Sequence, residues 1–395
     1  MSKSGWDEAK LFDILQLQNG YAFKPADLGE TGTPVIRIKQ LFDPLAEIDH
    51  SKKEIPERFR IDSGDVIFTW SARIDVAIWD RGEAYLNQHL FKVTSRDESR
   101  LLPEFVYMVI LDLIPRLTSH GTTMKHVTKA ELAKQLIYLP PIEEQREIVN
   151  FMQALDRMLQ AGDRAISCAG QMRDDARQIL LHEAEEQWGV ASIADFTTFA
   201  SGCSFPHSFQ GNKFGEYPFF KVADMNTPAN YPSMGVSANW INEDARTALK
   251  AKIHPEGTVI FPKVGAALKT EKRRILKRPS AFDNNIMGLI PTEDAHSFFI
   301  FIAMENVKLG PMSNPGPVPS VNQNTIRRVE IPAAPLEEQE KIVEKMQTLD
   351  TYIDSARRSQ EALKQVRQGA LHALLSGDKD VRYLAEMFAT NEDVA

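Results

Sequence analysis

A length of 395 residues, 43% hydrophobic and 25% charged, is the composition of a soluble globular protein with room for two to four packed units. No apolar run approaches the roughly 20 residues that span a bilayer. The opening residues lack a signal-peptide stretch, and two cysteines, Cys168 and Cys203, are too few for a disulfide framework or a cysteine-rich metal site. The expected compartment is the cytoplasm, with no membrane partner.

Residues 1–140 read as a mixed α/β head carrying 18 basic and 20 acidic side chains. Its β-rich runs, Val35–Ile38, Asp65–Trp70, Val76–Trp79 and Leu90–Val93, are parted by Gly, Pro and Asn/Asp turns. A helical segment at Pro103–Leu117 precedes a Gly/Thr-rich loop, His120–Thr128. Loops on a rigid frame carry recognition, so the candidate DNA contacts here are Trp70, Ser71, Arg73, His120, Thr122, Thr123 and Lys125. Arginine grips guanine edges, and Ser or Thr meets either base type.

A long helix is expected over 141–190. Its proline sits before the first turn, where a missing N–H costs nothing, and Glu143 and Glu144 suit the positive end of the helix dipole. Apolar and small residues then recur at alternating spacings of four and three: Met152, Leu155, Leu159, Gly162, Ile166, Ala169, Arg173, Ala176, Leu180. That is a coiled-coil seam. The stretch holds 5 basic and 10 acidic residues.

Residues 191–333 form a second mixed head with 15 basic and 12 acidic residues. Strand runs at Phe219–Val222, Thr258–Phe261 and Ile286–Ile290 precede a helical segment, Ala295–Val307, and a Pro/Ser/Asn-rich loop, Asn314–Asn324. Between Lys269 and Arg278 lie six basic residues, Lys269, Lys272, Arg273, Arg274, Lys277 and Arg278, an electrostatic footprint suited to phosphates. Asn284, Asn285, Asn322 and Gln323 are of the type that pairs bidentately with adenine. Each candidate in either head also fits an ordinary solvated surface side chain.

The second helix, over 334–380, carries the seam Met346, Leu349, Ile353, Ala356, Gln360, Leu363, Arg367, Ala370, Leu374. A tail, 381–395, follows. The acid excess behind the net charge of −8 therefore lies mainly on the helical stretches, leaving both heads near neutral.

The order head–helix–head–helix is a duplication. Residues 140–156 return as 334–350 with ten of seventeen positions identical at a constant offset of 194. Gly20-Tyr-Ala-Phe23 is answered by Gly202-Cys-Ser-Phe205, and Gly64-Asp-Val-Ile-Phe68 by Gly257-Thr-Val-Ile-Phe261. Two helices with one heptad phase pack most simply antiparallel about a pseudo-two-fold axis, imitating a symmetric dimer. Helices of about 40 residues reach roughly 60 Å at a 1.5 Å rise. Gly162, Ala169, Ala176, Ala356 and Ala370 allow close backbone approach. Arg173 and Arg367 either pair with acidic neighbours or snorkel to solvent.

Catalytic signatures are missing. There is no GxxxxGK[ST] loop, no HExxH spacing and no Asn/Asp-Pro-Pro-aromatic motif, and His89, His120 and His126 stand without a nucleophile signature. The fold class expected is α+β, two recognition heads separated by an antiparallel coiled coil.

The paired segments Pro141-Ile-Glu-Glu-Gln-Arg-Glu-Ile-Val149 and Pro335-Leu-Glu-Glu-Gln-Glu-Lys-Ile-Val343, with the Gly-x-x-Phe elements and Gly121-Thr-Thr-Met-Lys125, resemble the specificity subunit of type I restriction–modification systems. The resemblance implies a non-catalytic chain that reads a split double-stranded DNA target. Two methyltransferase subunits would carry S-adenosylmethionine for N6-adenine methylation, and restriction subunits would bring ATP and Mg for translocation and cleavage. Gly316-Pro-Val-Pro-Ser-Val-Asn322 replaces the Gly-Thr-Thr-Met-Lys form in the second head. The competing reading is a protein-interaction scaffold with no nucleic-acid ligand.

Overall fold

The computed structural model describes residues 5–71, 73–118, 129–314 and 316–392. The chain divides into two compact units, Met1–Asp163 with Arg358–Ala395, and Arg164–Arg357. Each unit thus joins one head to a part of each long helix, because the head cores run on into the seam. In the first unit Phe68, Phe91 and Phe105 share a core with Ile148, Met152 and Leu371. In the second, Phe261, Phe299 and Phe301 share one with Leu181, Ile342 and Met346.

The first head holds an antiparallel sheet in the order Leu15–Asn19, Leu90–Ser95, Val66–Ser71, Arg73–Ile78. A second sheet orders Asp49–Ser51, Thr33–Ile36, Ala84–Leu86, Arg60–Ile61, with the middle two parallel. Asp7–Lys10 pairs with Leu136–Leu139 just ahead of the helix-opening prolines. The second head repeats the plan. Its five-stranded sheet runs Thr197–Ser201, Ile286–Pro291, Val259–Pro262, Arg274–Leu276, Ser233–Met234. A smaller sheet again contains one parallel pair, Tyr217–Phe220 with Ala281–Phe282, and Val190–Ser192 pairs with Glu330–Pro332.

Head helices occur at Pro103–Thr118 and Ser297–Asn306, as the sequence leads one to expect. Two strand runs stop early. The Val35 strand ends at Ile36 and the Phe219 strand at Phe220. At both places the following backbone N–H is taken by a side chain three residues on, Arg37 N by Gln40 Oε1 at 3.3 Å and Lys221 N by Asp224 Oδ2 at 2.7 Å. That contact turns the chain into a short helix instead of extending the ladder. The expected C-terminal tail contains a helix, Val381–Glu392. Asp380 accepts from Tyr383 N at 2.8 Å, and Val381 and Leu384 pack on the first core.

The long helices span Ile142–Trp188, 47 residues, and Leu336–Leu375, 40 residues. Every seam position from Met152 to Leu180 and from Met346 to Leu374 is buried or half-buried. No described helix is long and apolar enough to cross a membrane.

The seam arginines pair. In the first unit Arg367 grips Asp156 with both Nε and Nη2, while Gln360 donates to Leu159 O and Asp163 Oδ1 at 2.6 and 2.8 Å. Partner numbers fall as those of the first helix rise, so the helices run antiparallel there. In the second unit Arg173 meets Asp350 at 2.5 Å and Glu305 at 2.9 Å. Asp156 and Asp350 are repeat equivalents, as are Arg173 and Arg367. One carboxylate–guanidinium pair therefore occurs once per unit with the two helices exchanged. Burial works against the Arg173 charge, yet the Asp350 hydrogen bond and Glu305 outweigh it and its pKa is raised. Gly162 serves a neighbour other than a backbone: a Cβ there would lie 2.2 Å from Gln360 Oε1.

The glutamine of each Glu-Glu-Gln is wholly buried. Gln145 accepts from Leu102 N at 3.0 Å and donates to Arg100 O and Pro140 O, both at 2.8 Å. Gln339 accepts from His296 N at 2.8 Å and donates to Asp294 O at 3.0 Å and Ala334 O at 2.9 Å. One amide thus ties the start of each seam helix to the start of its head helix. Both amide donors and the amide oxygen are spent on backbone groups, and the bonds to Pro140 O and Ala334 O are fully buried.

Candidate nucleic-acid interface

In the first head Gly20 lies where a Cβ would be 2.2 Å from Asn87 O. Only glycine lets the chain pass this close. Tyr21 bridges to Asn87, Gln88 N donates to Tyr21 O, and Leu90 N donates to Asn87 O, each at 3.0 Å. The result is a tight turn from Asn87 to Leu90. Its ends are buried and its two corner residues, Gln88 and His89, are exposed. The Gln88 amide nitrogen stands 3.4 Å from His89 Nε2.

Beside this turn lies the hairpin of Val66–Ser71 and Arg73–Ile78, with Ser71 opposite Arg73. Trp70, Ser71 and Arg73 were expected on loops but are strand ends at the hairpin tip. The six-residue strands on either side pair to their ends, so the ladder consumes the expected loop. Trp70 packs 6.0 Å from the Phe91 ring and 6.4 Å from His89. Arg73 lies over Phe42 at 3.7 Å and pairs with Asp75 at 2.6 Å. His120, Thr122, Thr123 and Lys125 lie outside the described residues.

The second head builds the same turn. A Cβ on Gly202 would sit 2.0 Å from Asp283 O. Cys203 bridges to Asp283, and Ile286 N donates to Asp283 O at 3.1 Å. Asn284 and Asn285 occupy the exposed corners, between buried Asp283 and Ile286. Burial pushes the Asp283 carboxyl up, although Asn285 N donates to it at 2.8 Å. Lys263 N donates to Asn285 O, and Val321 N to Lys263 O. These bonds bring the Asn285 turn, Lys263 and the Val321 segment to one end of the sheet. Asn322 and Gln323 are therefore neighbours of this cluster. Asn322 Oδ1 caps the short Gln323–Ile326 helix through Thr325 N at 2.9 Å, and Gln323 Nε2 donates to Ser201 Oγ at 3.2 Å.

The basic run does not form one outward face. Lys269, Lys277 and Arg278 are exposed, and Lys272 bonds Asn226. Arg273 and Arg274 are 2% and 8% exposed, which corrects their assignment as phosphate contacts. Arg273 pairs with Glu271 at 2.7 Å and donates to Val307 O; Arg274 donates to Arg273 O and Met225 O. Burial pulls both guanidinium pKa values down. The Arg274 strand is covered on both sides, by Val259–Pro262 and Ser233–Met234, so a charge that reads as solvated becomes an interior hydrogen-bond donor.

Gln88 and Lys263 do not stand out in the sequence, and His89 does so only as a histidine without a nucleophile signature. The available signal is the pattern Leu86-Asn-Gln-His-Leu90 against Phe282-Asp-Asn-Asn-Ile286, three polar residues between apolar ones ahead of a strand.

The family described as the type I restriction modification DNA specificity domain matches residues 3–165 and again 185–365. The chain belongs to this family. It is a specificity subunit of a type I restriction–modification system, and its role is DNA target recognition. The MjaVIII type I restriction enzyme specificity subunit of Methanocaldococcus jannaschii is 19% identical over 96% of this chain and 94% of its own length. The EcoBI specificity subunit of Escherichia coli is 24% identical over 49% of this chain and 41% of its own. A solved chain of the type I R-M system, from work on its complex assembly and conformational transition, superposes with a TM-score of 0.66. It is 19% identical, with 96% of this chain and 100% of that one covered. The S subunit from M. genitalium gives 0.51 at 15% identity, covering 94% and 96%. These likenesses concern the fold.

Proposed function

We propose that this specificity subunit reads a bipartite double-stranded DNA target, one half-site per head, with the seam helices fixing the spacer between half-sites. Two methyltransferase subunits dock on the frame, bring S-adenosylmethionine and methylate adenine at N6. Restriction subunits, bringing ATP and Mg, add translocation and cleavage, and the chain itself catalyses nothing. It works in the cytoplasm, where its DNA is.

The observation that carries this reading is the swapped pair Asp156–Arg367 and Arg173–Asp350. It makes the frame equivalent in both repeats while the exposed corner residues of the two heads differ. An equivalent frame suits two copies of one partner, and unlike tips suit two unlike half-sites. The acid excess on the helical stretches favours protein contacts over phosphates there.

The test is co-expression with a candidate methyltransferase subunit from the same host, followed by methylome mapping. The expected result is one bipartite adenine-methylated motif, bound less tightly as salt rises. Removing one matched heptad from both seam helices should change the spacer and leave both half-sites intact. A changed half-site, or binding indifferent to salt and sequence, overturns the proposal in favour of a protein-binding scaffold.

A further inference from the structure

The two turns at Asn87–Leu90 and Asp283–Ile286 are held by the same contacts. Each has a glycine pressed on the first carbonyl, a bridge from the next residue, and a closing N–H to that carbonyl. Both ends of each turn are buried and both corners are exposed. Only the corner chemistry differs: Gln88-His89 in one head, Asn284-Asn285 in the other. Among the described residues, Asn284 and Asn285 spend neither side-chain amide on a hydrogen bond. A rigid turn that presents two uncommitted amides is preorganised for hydrogen bonding to something outside the chain.

We infer that these corner pairs are the equivalent base-reading elements of the two heads. Gln88 and His89 address base edges of one half-site, and Asn284 and Asn285 those of the other. The inference rests on the DNA-reading role proposed above and deepens it to residues. Asn and Gln offer a donor and an acceptor side by side, the pattern that matches adenine N7 and N6; an imidazole offers one of each on its two nitrogens. Consecutive Cα atoms about 3.8 Å apart match base pairs stacked about 3.4 Å apart, so each turn reads one or two adjacent pairs. Lys263, joined to the Asn285 carbonyl through its backbone N–H, stands where a phosphate contact would set the turn's register.

The experiment uses the full complex with its methyltransferase subunits. Its probes are duplexes carrying the mapped wild-type target and every single-base change in each half-site. Asn284→Ala with Asn285→Ala is expected to reduce discrimination about ten- to hundredfold at one or two pairs of one half-site, leaving the other half-site as an internal control. Gln88→Ala with His89→Ala does the reverse. Gln88→Asn with His89→Asn installs a pair the equivalent turn already tolerates. It should therefore change base preference in its half-site even if the alanine variant fails to fold.

Unchanged preferences in this third variant overturn the inference. So does a loss of affinity equal for all sequences, which marks phosphate contact. A wild-type complex with no sequence preference overturns the DNA-reading role itself, and is visible before any variant is made.

Discussion

Replacing Gln339 by leucine probes the contact that holds a head to its seam helix. The side chain is fully buried and makes three hydrogen bonds, one accepted from His296 N and two donated to Asp294 O and Ala334 O. Leucine fills the volume but leaves Ala334 O without a partner in the interior and takes the partner from His296 N and Asp294 O, whose bonds are partly buried. An unpartnered buried group costs about 1–3 kcal/mol, and one that water reaches costs less. Part is recovered by burying apolar atoms, so the expected loss is about 2–4 kcal/mol, against the 5–15 kcal/mol that hold a typical domain. Urea denaturation followed by far-ultraviolet circular dichroism measures the loss, and hydrogen exchange at the His296 amide locates it. Gln339→Glu keeps the acceptor but turns a carboxylate toward two carbonyl oxygens. Its folded pKa must rise, so this variant is most stable in acid and loses stability as pH climbs through that raised value. Gln145→Leu should cost a similar amount, with faster exchange at Leu102. A Gln339→Leu protein within about 1 kcal/mol of wild type, with His296 still protected, refutes the anchoring argument.

Other expectations follow from the same contacts. Arg173→Met takes the guanidinium from two partly buried carboxylates, Asp350 and Glu305, leaving Glu305 with Arg177 at 3.7 Å, and should cost about 2–4 kcal/mol. Arg367→Met strands only Asp156, which is about a third exposed, and should cost clearly less by the same denaturation assay. Burial holds the pKa of His254 down, and likewise that of His296, whose Nδ1 accepts from Phe298 N at 3.1 Å. Their contribution to stability is complete above the ordinary histidine pKa of about 6.5 and is lost as pH falls through the depressed folded values. Calorimetry should therefore show the second unit melting earlier toward pH 5, and less so in His254→Gln. Gly202→Ala puts a carbon 2.0 Å from the Asp283 carbonyl oxygen and should destabilise the second head by roughly 1–3 kcal/mol or more. An unchanged melting temperature would refute the close-approach reading.

The seam was legible because its signal is long. Eighteen positions in one heptad phase define a face that no other packing satisfies, and the structure buries or half-buries all of them. The head helices and most strand runs were legible for the same reason of periodicity. What escaped is decided by single contacts. A glutamine at a helix start reads as surface until Leu102 N and His296 N are seen to need it. Arg273 and Arg274 read as part of a solvated run because charge density says nothing about which strand a neighbour will cover. Gln88 and His89 carry no periodic signal, and only the matching glycine contacts at Gly20 and Gly202 make their position comparable with Asn284 and Asn285.

The interactions that hold the frame and those assigned to recognition fall on different residues. Gly20, Gly202, Gln145 and Gln339 are buried or pressed against backbone, and the Asp–Arg pairs are wholly or partly buried, so exchanging any of them leaves a clash or an unpartnered group. The corner residues touch solvent on a turn whose bonds are made by backbone and by the buried residues Asn87 and Asp283. Substituting a corner should change stability by no more than about 0.5 kcal/mol, the usual range for surface positions. On the base-reading assignment, a half-site can then be altered without loosening the head that presents it. The two heads, holding one turn on one frame with different corners, are what that separation of stability from specificity predicts.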